Sequence, residues 1–137
     1  MILIDSSCWV DFYRRDGDPG IQEAVAAALE SGEAATCGIV RVEILAFIAR
    51  TAEQQIVAAD FSALFELPID SRAVEHAIAW GQALRRKGET APATDLLIAA
   101  VASVNDAVLL HHDRHFETIA GLGRLRQELA GGRTANP

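Results

Sequence analysis

Two apolar runs in this chain end in the same way: Met1-Ile2-Leu3-Ile4 closes on Asp5, and Val108-Leu109-Leu110-His111-His112 closes on Asp113. Short continuous aliphatic runs read as strands buried on both faces, the kind found in parallel sheets with helices on each side. In such sheets ligands sit in the crevice at the carboxyl ends of the strands. Asp5 is therefore either a helix cap or part of a site. Asp113 has the same two readings, since it can cap a short helix beginning at Arg114.

Between these runs, helical and strand-like segments alternate. After Asp5, SSCWVDFYRR starts a helix with Ser6 or Ser7 near its cap, and DGDPG breaks it. IQEAVAAALESG is an amphipathic helix stopped by Gly32, EAATC a short strand, and IVRVEILAFIAR a strongly apolar helix. A helix over AEQQIVAADFSALFEL, a brief strand at LPID and a helix from Ser71 to Gly88 follow. TAPATDLLIAAVASVN reads as a central helix, AVLLHH as a strand after an Asn-Asp turn, and GLGRLRQEL as an edge strand. Strands separated by helices in this order predict an α/β fold, a three-layer sandwich whose mainly parallel sheet is flanked by helices.

A chain of 137 residues, half of them hydrophobic, suits one domain that removes roughly two thirds of its unfolded surface from water. That domain is expected over residues 1–130, with AGGRTANP as a loose tail and 131–137 flexible. LLIAAVASV is too short to span a bilayer, and Asp5 interrupts the first run before it could act as a signal peptide, so a cytoplasmic location is expected. Cys8 and Cys37 lack CxxC spacing and read as buried free thiols. The net charge of -7 argues against bulk electrostatic capture of nucleic acid, but leaves room for an enzyme whose acids hold metal ions.

The informative residues are carboxylates inside apolar patterns. On its helix, Glu43 has Ile39, Val40, Ala46 and Phe47 three and four positions away, which predicts a half-buried acid, paired with Arg41 or another base or escaping to solvent. Asp95 shares a helix side with Ile98 and Ala99; there it, or Thr94, can also serve as a cap. A parallel sheet can gather Asp5, Glu43, Asp95 and Asp113 in one crevice. At about 5 Å and an effective dielectric near 20, each pair of like charges costs on the order of 3 kcal/mol, so something positive must offset them. Oxygen ligands suit Mg²⁺ or Mn²⁺, and the chemistry that follows is phosphodiester hydrolysis.

MILIDSSCWVDF, VRVEIL, PATDLLIAA and LLHHDRHFETIAGL resemble, in that order, the four acidic motifs of PIN-domain ribonucleases, specifically VapC-type toxins of toxin–antitoxin pairs. The resemblance covers nearly the whole chain and puts the four acids on Asp5, Glu43, Asp95 and Asp113. It also implies a supporting hydroxyl next to the first acid, here Ser6. The family often has threonine in that place and Asp where His115 stands; His112 and His115, flanking Asp113, are open as metal ligands or as capping and solvent-facing groups.

The resemblance implies an endoribonuclease that uses Mg²⁺ or Mn²⁺ to cut a structured RNA, tRNA or rRNA, and so slows translation. It also implies a VapB-type antitoxin that holds it inactive, and a homodimer that forms a heterotetramer or larger assembly with that antitoxin. Positive charge for RNA must come from local patches: Arg14 and Arg15 at the end of the first helix, or Arg85, Arg86 and Lys87 at the end of another. Cations at helix C-termini can equally serve only the macrodipole. Trp9, Phe12 and Trp80 read as core or interface residues. A phosphatase of the haloacid-dehalogenase kind needs a second Asp where Ser7 stands, and a receiver domain needs paired acids beside the first strand. The remaining alternative is a PIN-like module that binds RNA or protein without cutting, and it has no need of a costly acidic cluster.

Overall fold

The computed structural model describes residues 1–122 and the strand Gln127–Leu129. The elements run β1 (Ile2–Ile4), α1 (Ser6–Tyr13), α2 (Pro19–Glu30), β2 (Ala34–Thr36), α3 (Gly38–Leu45), α4 (Thr51–Ser62), β3 (Phe65–Glu66), α5 (Ser71–Arg86), α6 (Ala93–Val104), β4 (Val108–His111), α7 (Arg114–Ala120) and β5 (Gln127–Leu129). The strands form one sheet in the order β3-β2-β1-β4-β5, and every pairing is parallel. The α/β expectation holds, and the expected edge strand is present in β5. The expected flexible tail, 131–137, lies outside the described residues.

The strand order decides where a site can form. From β1 the chain moves one way across the sheet to β2 and β3; it then crosses to β4 on the other side of β1 and moves outward to β5. Right-handed crossovers in opposite directions put α1 to α4 over one face and α5 to α7 over the other. Packing follows that division, with α1 against α2 and α3, α3 against α4, and α6 against α5 and α7; α3 and α6 also meet. The reversal makes the carboxyl ends of β1 and β4 a topological switch point, where adjacent connections part and leave a crevice. In register Ile2 faces Val108 and Ile4 faces Leu110, so Asp5 follows one strand and His112 and Asp113 follow its neighbour.

The core explains the two-sided sheet. Leu3, Ile4, Ala35, Leu109 and Leu110 are buried, with α6 contributing the unbroken buried run Ile98 to Ala102. Three alanines in that run let the helix lie close on its neighbours while removing apolar surface worth roughly 25 cal/mol per Å². Trp9 is fully buried and packs on Phe12, Tyr13 and Phe61; Trp80 is also buried, so both tryptophans belong to the core. Cys8 and Cys37 are buried free thiols, and burial pushes the Cys8 thiol up to about 12. Among the described residues no helix is long and apolar enough to cross a membrane.

Several boundaries differ from the sequence pattern. The helix expected through Leu67 ends at Ser62, and the following strand is Phe65–Glu66 rather than LPID. There β3 adds a parallel edge to β2, and Leu67 donates its N–H to the Thr36 carbonyl, a long-range pairing that a local apolar run does not announce. The helix expected through Arg50 ends at Leu45. Of the cap candidates at α1, Asp5 rather than Ser6 or Ser7 takes the place, and at α5 the cap falls one residue earlier than expected, on Asp70 rather than Ser71. Neither Thr94 nor Asp95 caps α6, which begins after Pro92 without a side-chain cap. The expected Asn-Asp turn is present, with Asp106 left-handed at φ 53°, a conformation short polar residues tolerate.

The turn between α1 and α2 is tightly closed. Gln22 Nε2 donates to the carbonyls of Asp11 and Arg14, Gly17 donates to Arg14, and Asp18 caps α2 through the N–H groups of Gly20 and Ile21. A Cβ on Gly17 would stand 2.0 Å from the Asp11 carbonyl oxygen. Gly17→Ala is therefore expected to lower stability by about 1–3 kcal/mol. Urea unfolding checks it, and a wild-type midpoint would show that the turn relaxes freely.

Candidate active site

Asp5 reaches its position because β1 ends there and α1 begins one residue later. Its backbone is extended and its Oδ2 accepts the Ser7 N–H at 3.0 Å, so the residue is a helix cap by geometry. The same oxygen accepts the Ser7 hydroxyl at 2.6 Å. Only 4% of Asp5 is exposed. Burial raises its pKa against these hydrogen bonds, and the charge of Asp113 raises it further. Cap and site are thus one arrangement rather than alternatives.

Asp113 repeats the device at the end of β4. It caps α7, accepting the His115 N–H at 2.9 Å. Asp95 arrives from the opposite direction, on the first turn of α6, with 14% of its side chain exposed. Its pKa is pushed up to about 6, first by burial and then by the charges of Asp5 and Asp113, with His115 acting in the other direction. Three carboxylates from three separate segments therefore feel one another across the switch-point crevice.

Glu43 is half-buried, as its apolar helix face predicts, but its partner is not Arg41. Arg41 pairs instead with Glu66 at 2.7 Å, both exposed, while Glu43 Oε1 accepts the Ser6 hydroxyl at 2.7 Å. Ser6 follows Asp5 directly in the chain, so this bond ties the helix carrying the second acid to the segment carrying the first. The charges of Asp5 and Glu43 both bear on the thiol of Cys37, the residue before α3. Among the described residues Asp95, Asp113 and His115 form a compact donor group, with one ligand atom of each lying within 4.8 Å of the others. Asp5 and Glu43 fall outside that group.

His115 is the residue the sequence left open. Its Nδ1 lies 3.0 Å from Asp95 Oδ2 and 3.2 Å from Asp113 Oδ1. That nitrogen thus stands within reach of both carboxylates at once. The signal was its place two residues after Asp113, where a helix turn folds it back toward the acid. His112 instead gives its backbone N–H to the Ser7 hydroxyl at 3.0 Å. Of the candidate RNA cations, Arg14 caps the end of α1 and pairs with Asp16, and Arg85 lines an apolar groove between α5 and α6 with Val74, Ile78 and Leu97.

The donor set, carboxylates with one imidazole and no thiolate, fits a hard or borderline divalent cation. The raised Asp95 fits as well, since mutually repelling acids without a counter-charge hold protons that a cation would displace.

The family model of the PIN domain matches residues 2–122. The chain belongs to the PIN-domain family. Within it the chain is of the VapC type: it is 32% identical over 130 residues to ribonuclease VapC11 of Mycobacterium tuberculosis, covering 92% of this chain and 96% of that one. Among solved structures, VapBC2 of Rickettsia felis bound to a DNA fragment of its promoter superposes with a TM-score of 0.76 at 18% identity, covering 95% of this chain and 99% of that one. VapC20 of Mycobacterium tuberculosis, described as a Sarcin-Ricin loop cleaving toxin, superposes with a TM-score of 0.66 at 16% identity, covering 91% and 97%. Those two likenesses carry the fold; the three-layer PIN sandwich with its parallel sheet is common to them and to this chain.

Proposed function

We propose that this PIN domain is an endoribonuclease toxin that uses Mg²⁺ or Mn²⁺ to cut structured RNA, tRNA or rRNA, slows translation, and is neutralised by a VapB-type antitoxin. The observation that carries the reading is the convergence of Asp5, Asp95 and Asp113 on the β1/β4 switch point, with Asp95 pushed up to about 6 by burial and by the other two. Naming of the VapC11 relative as a ribonuclease supports the activity, and the VapBC2 complex supports the antitoxin. A homodimer, joined by antitoxin into a heterotetramer or larger assembly, belongs to the same reading.

Asp5, Glu43, Asp95 and Asp113 would hold the cation, with His115 beside Asp95 and Asp113 and Ser6 orienting Glu43. When bound, a divalent cation supplies an acidified water and stabilisation of the leaving oxygen. The reaction is hydrolysis: a water oxygen forms a new bond to phosphorus, one P–O ester bond breaks, and the departing oxygen takes a proton. The chain's own part is to hold ionised oxygens in a fixed array on four separate segments. Arg14, Arg15, Arg85, Arg86 and Lys87 are the local cations available for RNA phosphates on a chain whose net charge is -7.

Antitoxin-free protein is expected to cut total cellular RNA into discrete fragments with Mg²⁺ or Mn²⁺ and to leave it intact with EDTA, and expression without antitoxin is expected to arrest growth. Gel electrophoresis of the RNA, with mapping of the cut ends, reads the first. Intact RNA from folded protein under every metal condition would leave the non-catalytic binding module as the better reading.

A further inference from the structure

Ser7 was passed over in the sequence in favour of Ser6, its neighbour. Its hydroxyl joins two different segments. The proton goes to Asp5 Oδ2 at 2.6 Å, and a lone pair accepts the backbone N–H of His112 at 3.0 Å. His112 precedes Asp113, and the next N–H in the chain, that of Asp113 itself, is accepted by His111 Nδ1 at 3.1 Å. The His111 ring is fully buried and packs on the buried Phe116 at 5.2 Å. Two consecutive amides of the β4 to α7 turn are thereby pinned, one to the core and one, through Ser7, to the first acid.

We infer that Ser7 is a positioning residue: its hydroxyl clasps the end of β1 to the end of β4 and sets the separation of Asp5 and Asp113 that a divalent cation needs. The inference rests on the nuclease reading for its purpose, though not for its geometry. β1 and β4 are held together along their length by backbone pairing, which ends at Ile4 and Leu110. Beyond that point the Asp5 N–H still reaches the Leu110 carbonyl at 2.9 Å, and the residues after His111 turn into α7. The Ser7 hydroxyl supplies a tie in that stretch, and it does so on the same carboxylate oxygen that the Ser7 amide holds. An oxygen receiving two hydrogen bonds has its direction fixed, and with it the orientation of the Asp5 carboxylate. Its effect is exerted through Asp5 and the His112 backbone.

The test compares wild type with Ser7→Ala and Ser7→Thr. Alanine is a good helix former and Ser7 is only half-buried, so α1 and the fold are expected to survive, with circular dichroism as the check. Three quantities are read: Mn²⁺ affinity of the RNA-free protein by titration calorimetry, hydrogen exchange of the His112 amide, and kcat and KM for RNA cleavage. Ser7→Ala is expected to weaken Mn²⁺ binding about tenfold or more, in the range seen for outer-sphere partners of metal ligands. The His112 amide should exchange faster, and kcat should fall with KM for RNA little changed. Ser7→Thr, which keeps the hydroxyl, should restore all three. Wild-type Mn²⁺ affinity in Ser7→Ala, or a loss that Ser7→Thr fails to recover, overturns the inference. Protein that binds Mn²⁺ but cuts no RNA would remove the nuclease reading, and the clasp would then be supported by an affinity loss in Ser7→Ala that Ser7→Thr restores.

Discussion

Asp95→Asn is expected to reduce RNA cleavage by more than about a hundredfold and, without metal, to make the protein more stable at neutral pH. Loss of an outer-sphere partner typically costs 10–100-fold in affinity or activity, roughly, and a direct ligand should cost more. The stability gain comes from the repulsion already present. Asp95 titrates near 6 in the folded protein against an ordinary 3.8, because burial and then Asp5 and Asp113 disfavour its charge. Between those two values the folded state holds a proton that the unfolded chain has released, so stability falls as pH rises from about 4 through about 6. Burial raises Asp5 in the same direction. Each pKa unit corresponds to about 1.4 kcal/mol, and with the side chain in partial contact with solvent a cost of about 1–2 kcal/mol from Asp95 is expected above pH 7. The neutral amide should remove that share, so the wild-type and Asp95→Asn melting curves in EDTA should lie far apart at pH 8 and close together at pH 4. Mn²⁺ should raise the melting temperature of wild type and not of the variant. A variant that cleaves RNA at the wild-type rate would show that Asp95 is not part of the catalytic array.

Asp5 separates two roles that usually have to be inferred together. Asp5→Asn keeps an acceptor oxygen for the Ser7 N–H and removes the charge, and asparagine caps helices about as well as aspartate. Asp5→Ala removes both. Both variants are expected to lose cleavage by a hundredfold or more on the same argument. Their stabilities should differ: Asp5→Asn at or above wild type in EDTA at neutral pH, since a buried charge is gone, and Asp5→Ala lower than Asp5→Asn by about 0.5–2 kcal/mol for the lost cap. Thermal unfolding beside a cleavage assay reads both. Equal melting temperatures for the two variants would mean the cap contributes nothing to α1, whatever the acid does for catalysis. Growth arrest on expression should disappear with either substitution.

How much of the site was legible depended on how local its signals are. Asp5 and Asp113 could be read because an acid closing an aliphatic run breaks a pattern only a few residues long. Glu43 could be read as half-buried from its neighbours at three and four positions, but its partner could not: the Ser6 hydroxyl lies thirty-seven residues away in the chain, while the nearer candidate Arg41 is drawn to Glu66 on the edge strand. The cap of α5 was misread by one residue, and that of α1 was left open between Asp5 and the serines, because serine and aspartate stand side by side there and both are good caps; the aspartate wins in each case where its side chain meets the N–H groups. His115 was seen as flanking Asp113, yet its contact with Asp95 depends on α6 packing against α7.

By itself the sequence determined the alternation of strands and helices and the two-sided burial of β1 and β4, and it marked the candidate acids, since these follow from hydrophobic period and from carboxylates that break it. It did not determine the strand order. The order places β4 beside β1 rather than at the edge, and so brings Asp5, Asp95 and Asp113, scattered over more than a hundred residues, within electrostatic reach of one another. That outcome belongs to the tertiary structure because it is settled by the handedness of crossovers and the burial of whole faces, quantities summed over the domain and carried by no single segment.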